Sequence, residues 1–129
     1  MAGRIGVVHA TRLSIAPIEA SFARLWPEGE RAHLLDETLL IDRRKAGALT
    51  AALFARIAML ANHAADAGAV FVQFSCSAFG PAIEAAAAQM DITVEKPYQA
   101  MVADALDAGP RIVALSTFKI GRASCRERV

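Results

Sequence analysis

Short, unbroken apolar runs recur along this chain, each followed by a longer stretch with helical spacing. The runs are "RIGVVHA" at 4–10, "AHLLD" at 32–36, "AVFVQFS" at 69–75, "ITVEKP" at 92–97 and "RIVALST" at 111–117. A strand with one wet face alternates apolar and polar residues; a strand covered on both faces need not. The stretches between the runs read as helices at 14–26, 45–66, 81–89 and 98–108. In the second of these, Leu49, Leu53, Ile57, Leu60 and Ala64 recur at spacings of three and four, which puts them on one face. Ser14 suits the N-cap of the first helix and Pro17 its first turn, while Gly68 suits the C-cap of the second. Strand and helix alternate throughout. That order predicts an α/β fold, with a parallel sheet flanked by helices on both faces.

Composition narrows the class. A chain of 129 residues, 55% hydrophobic and 21% charged, can bury a core and is too apolar for disorder. No apolar run reaches the roughly 18 residues of a membrane span, and no secretion signal opens the chain. Two cysteines make no disulfide framework, so a reducing, cytoplasmic setting is expected. A net charge of +1 gives no sign of a nucleic-acid or membrane surface.

The end of the chain changes character. Residues 120–129, "IGRASCRERV", hold three Arg and one Glu without periodicity. Back-translated, they resemble read-through of a DNA-sequencing adapter, into which Lys119 can also fall. The expectation is that 119–129 is an adapter-derived tail, outside fold reasoning, and that the natural chain continues past Phe118. Without 120–129 the chain carries 11 basic and 12 acidic side chains, and Cys125 has no role.

Parallel sheets bind ligands at the carboxyl ends of their strands. The residues there are His9, Ala10 and Thr11; Asp36 and Glu37; Ser75, Cys76 and Ser77; and Ser116 and Thr117. Cys76 stands where a strand stops and a helix is expected to begin. Unpartnered N–H groups and the helix dipole favour a thiolate there, so its pKa is expected to be lowered. A small buried cysteine filling a strand end is the competing reading. Other cysteine chemistries fit poorly. A phosphatase loop wants arginine where this chain has Ala82, and no second cysteine stands near enough for a CxxC motif.

"RIGVVHATRLSIAPIEASF", "LLDETLL", "FSCSAFGPAIEAA" and "RIVALSTF" resemble, in order over residues 4–118, the aspartate/glutamate/hydantoin racemase superfamily. The resemblance implies two pseudo-symmetric flavodoxin-like domains facing across a cleft. Residues 1–110 would form the N-terminal domain, and 111–118 the first strand of a second domain that is largely missing. It implies that Cys76 is one of two opposed thiols that take and return the α-proton of a small carboxylate or amino-acid substrate. No metal or other cofactor is implied. Thr11, Ser77 and Thr117 match positions that hold the substrate carboxylate. Ser75 adds a hydroxyl, and His9 either orients substrate or is satisfied by neighbouring backbone.

A second-domain cysteine is absent, so the chain alone is expected to be inactive as a racemase and to self-associate through an uncovered apolar face. A one-cysteine relative, such as an arylmalonate-type decarboxylase or a maleate-type isomerase, is the alternative enzyme. A non-catalytic flavodoxin-like module that binds a small acid is the other class. His33 and His63 read as structural or exposed, Asp36 as an N-cap, and Arg43, Arg44 and Lys45 as a solvated charge run. Tyr98, after Pro97, is placed near the cleft and no more.

Overall fold

The computed structural model describes residues 3–115. Four strands form one sheet: β1 (Arg4–His9), β2 (Arg31–Leu35), β3 (Ala69–Phe74) and β4 (Thr93–Glu95). Their order is β2-β1-β3-β4 and every pairing is parallel. Five helices connect them: α1 (Ile15–Leu25), α2 (Thr38–Ala46), α3 (Ala51–Asp66), α4 (Gly80–Ala87) and α5 (Gln99–Ala108). This is the flavodoxin-like α/β arrangement that the alternation of apolar runs predicts.

The main core lies between the sheet and the pair α3–α4. Val8, Val72 and Phe74 of the sheet meet Ile57 of α3 and Ile83 of α4. Ile57 and Ile83 are fully enclosed. Burying a side chain of that size contributes about 1.5–3 kcal/mol.

Register decides what lies on the other face. Val7 pairs with His33 of β2 and with Gln73 of β3, and His9 pairs with Leu35. Side chains alternate along a strand, so Val7, His9, Arg31, His33 and Gln73 share the face away from that core. The Ser75 N–H donates to Val8 O at 2.9 Å, which carries the β1–β3 ladder one residue past β3. Ser75 therefore joins the same face. α1 lies over it, with Glu19 bonded to Arg31 and His33.

Four expectations need correction. The helix read at 45–66 is two helices. α2 ends at Gly47, which takes φ +69 in the left-handed region, and α3 starts only at Ala51, capped by the Thr50 hydroxyl on the Leu53 N–H. Leu49 therefore packs from the connecting loop instead of from α3. Gly68, at φ +90, does follow α3 as a C-terminal stop. Secondly, residues 111–115 form no strand among the described residues. A strand needs a neighbour for its N–H and C=O groups, and these residues pair with none in this sheet. Thirdly, the Ser14 side chain does not cap α1; it turns to other partners. Finally, α4 starts at Gly80, after a separate 3-10 turn at Ser77–Phe79.

Candidate functional site

The ends of β1 and β3 lie side by side in the middle of the sheet. His9 closes β1 and is 0% exposed. Its Nδ1 lies 2.7 Å from Ser14 Oγ and 2.9 Å from Ser75 Oγ. Its Nε2 lies 2.8 Å from His33 Nδ1, and the two rings stack with centroids 5.0 Å apart. His33 Nε2 lies 2.6 Å from Glu19 Oε1. Arg31 holds both oxygens of Glu19, at 2.7 and 2.9 Å, and its guanidinium lies 5.2 Å from the centre of the Phe22 ring.

The electrostatics follow from this geometry. Burial, then the neighbouring His33, lowers the His9 pKa to about 4, so the ring is neutral. The Arg31 and His33 hydrogen bonds hold the Glu19 carboxyl at about 2, so it stays ionised. A buried histidine is thus satisfied, though by side chains from three segments and not by neighbouring backbone.

Thr11 follows β1 in extended conformation. Its hydroxyl accepts from the Leu13 N–H at 3.3 Å and so caps the 3-10 turn at Arg12–Ser14. Its carbonyl accepts from the Ser14 hydroxyl at 2.9 Å, and Ser14 Oγ lies 3.0 Å from Ser75 Oγ. His9, Ser75 and the Thr11–Ser14 turn are therefore brought together.

Cys76 is placed differently. It is extended, half-buried and packed against the α3–α4 core, on the other side of the chain from the Ser75 hydroxyl. Burial pushes its thiol above the ordinary value; the Ala78 N–H and the Arg44 charge pull the other way and do not win. The expected lowering is thus reversed. Burial is the reason, and the helix dipole gives little help: Cys76 precedes the 3-10 turn Ser77–Phe79, so the N-terminus of α4 at Gly80 is four residues further on. Ser77 opens that turn and is half-buried. Thr117 lies outside the described residues.

The remaining candidates serve the scaffold. Asp36 Oδ1 accepts from the Thr38 N–H at 3.0 Å from one residue ahead of the N-cap of α2, which is Glu37 and not Asp36 as expected, and its other oxygen pairs with Arg56. Burial works against the Asp36 carboxylate, but the Thr38 and Arg56 bonds outweigh it and hold its pKa below the usual range. Glu37 pairs with Arg12, tying the turns after β1 and β2. Arg43, Arg44 and Lys45 lie in the last turn of α2, where cations suit the dipole. His63 is exposed on α3. Tyr98 precedes α5 with a φ of 65 and is mostly exposed.

A surface cleft of about 210 Å³ lies elsewhere, between α4, β4 and α5, lined by Glu84, Val94 and Lys96 among others. None of the strand-end candidates lines it. Among the described residues no group of three His, Cys, Asp or Glu could hold a metal ion, and no helix is long and apolar enough to cross a membrane.

Sequence reasoning missed Ser14, Glu19 and His33 as members of the cluster. One signal was available: Arg31 and His33 alternate with apolar residues in "RAHLL", and Glu19 sits within an otherwise apolar stretch. No protein-family model matches the chain, and no curated protein sequence matches it.

Proposed function

We propose that this chain supplies one catalytic wall of a cofactor-independent amino-acid racemase of aspartate/glutamate type, with Cys76 as the base. One observation supports the reading above others. Cys76 follows the carboxyl end of β3, a central strand beside β1, and its thiol lies on the α3–α4 side of the chain while the Ser14 and Ser75 hydroxyls meet on the other. Ligands of open α/β sheets bind at such ends.

An α-proton beside a carboxylate is a weak acid, and its removal places charge on the carboxylate oxygens. Donors aimed at those oxygens stabilise that charge. In this reading Thr11, Ser75, Ser77 and Thr117 stand around the carboxylate, and His9 positions the hydroxyls. The Cys76 thiolate takes the proton. Racemisation needs a second acid on the opposite face. Cys76 is the free cysteine among the described residues, so that acid comes from outside 3–115.

The raised thiol favours a second reading. A thiol that stays protonated is suited to delivering a proton. In an arylmalonate-type decarboxylation, loss of carbon dioxide leaves a carbanion stabilised by the remaining carboxylate. Cys76 protonates it and recovers its proton from water.

The test is α-proton exchange with L-aspartate and L-glutamate in deuterium oxide, followed by NMR. We expect slow loss of the α-proton signal at alkaline pH, without inversion, and none in Cys76→Ala. Exchange that survives in Cys76→Ala overturns the proposal. Carbon dioxide released from phenylmalonate by the wild-type chain alone selects the decarboxylase reading.

A further inference from the structure

We propose that the cleft between α4, β4 and α5 binds an α-amino acid with an aliphatic side chain, its carboxylate on Lys96 and its ammonium on Glu84. The cleft lies apart from the strand-end site, and the inference does not depend on the racemase reading.

Local geometry builds the cleft. Val94 of β4 and Ile83 of α4 belong to the same core. Side chains alternate along a strand, so Lys96, two residues after Val94 and one past β4, turns to the same side. There its Nζ meets the Glu84 carboxylate of α4. Ile83 and Glu84 stand four and three residues before Ala87, so the three share a face of α4. The cleft therefore has an apolar floor of Ile83, Ala87 and Val94 with an ion pair at its edge. Gln99, the first residue of α5, makes the third wall, and its Oε1 accepts from the Lys96 N–H at 3.4 Å. Tyr98 turns the chain from β4 into α5 with a φ of 65, in the left-handed region that strains any residue with a side chain of this size. Strain of that kind gathers at ligand clamps.

The chemistry selects the ligand. The Lys96 side chain is 12% exposed and that of Glu84 58%. The ammonium is thus held in the wall, while the carboxylate reaches into solvent and can turn aside. A molecule with a single charge of either sign takes one member of the pair and separates the other from its counter-charge. A zwitterion takes both. Its carboxylate sits on Lys96 and its ammonium on Glu84, so one ionic contact becomes two and the net charge is unchanged. The floor offers no polar side chain, so the amino acid's own side chain is aliphatic; aspartate or glutamate would set a second carboxylate against it. A volume of about 210 Å³ equals roughly seven waters, below that of a drug-sized site and on the order of one small amino acid.

The test is titration of the isotope-labelled full chain with L-leucine, followed by amide NMR shifts. We expect saturable shifts at Ile83, Lys96 and Gln99 with a dissociation constant of about 1 mM. Isocaproate lacks the ammonium and isoamylamine lacks the carboxylate. Each is expected to bind roughly tenfold more weakly, the scale of one hydrogen bond to a charged group. Glu84→Gln and Lys96→Met should each weaken leucine by a similar factor. Glu84 is exposed, so Glu84→Gln is expected to fold even where Lys96→Met does not.

No saturable shift by about 20 mM leucine overturns the proposal. Isocaproate or isoamylamine binding as tightly as leucine also overturns it, since the pair then reads one charge and not a zwitterion. Undiminished leucine binding in Glu84→Gln does the same. Shifts centred on Ser14, Ser75 and Cys76 place the amino acid at the strand ends; that outcome overturns this proposal and leaves the racemase reading standing.

Discussion

His9 carries more of this protein's chemistry than its position in a strand suggests. It joins the end of β1 to β2, to β3 and, through His33 and Glu19, to α1. Its neutrality has a measurable cost at acid pH. The unfolded chain takes up a proton near pH 6.5, whereas folded His9 resists until about 4. The unfolded state then binds more protons, so stability falls as pH drops through that window. Urea denaturation at several pH values is expected to show a loss of about 3 kcal/mol there. Glu19 adds a loss in the same direction between 4.5 and about 2. A flat profile from 6.5 to 4 would contradict a buried neutral imidazole. His9→Phe leaves Ser14, Ser75 and His33 without their partner and is expected to cost about 1–3 kcal/mol at neutral pH. Cys76 behaves oppositely. Its thiol is pushed up by burial, so iodoacetamide labelling should climb with pH along a curve displaced above that of free cysteine. The candidates at strand ends were legible, because a strand end needs only a periodicity to find. The direction of the Cys76 shift was not, because it turns on burial against the α3–α4 core, which is set by packing between distant segments.

At the scale of elements, the break between α2 and α3 is the instructive case. Apolar spacing runs on through residues 45–66, yet the chain stops at Gly47 and restarts at Ala51. Gly47 takes a left-handed φ with open space where a Cβ would sit, so only backbone strain opposes a side chain there. Gly47→Ala is expected to lower stability by about 1 kcal/mol, and Gly47→Asn by less. Thr50→Ala removes the hydroxyl that caps α3 and is expected to cost about 1 kcal/mol as well. Thermal or urea midpoints of the three variants check both. Were 45–66 one continuous helix, Gly47→Ala would stabilise instead, by the usual helix propensity of alanine. Gly47 and Thr50 are themselves ordinary stop and start signals. They were outweighed by the longer apolar period, since Leu49 keeps the spacing while packing from a loop.

At the scale of the whole molecule, burial is uneven. β1 and β3 are central in the sheet, and Val7, Val8 and Val72 are at most 1% exposed. α5 buries no residue, and beyond it Val113 and Leu115 are 86% and 93% exposed. Hydrogen exchange is expected to reflect this. Amides of β1 and β3 should open only with global unfolding, while those of α5 exchange at least a hundredfold faster, since few buried contacts hold the helix. Equal protection in α5 and β1 would show that α5 is anchored in solution. The alternation of continuous apolar runs with helical spacing determined the fold class by itself, because each element's period and length are local properties of the chain. It likewise placed His9, Ser75 and Cys76 at strand ends. Only the tertiary structure decided which of those side chains meet. Parallel register sets His33 of β2 and Ser75, just past β3, on the His9 face and packs Cys76 into the opposite core. Register arises from pairing between segments up to 66 residues apart, which no local pattern encodes.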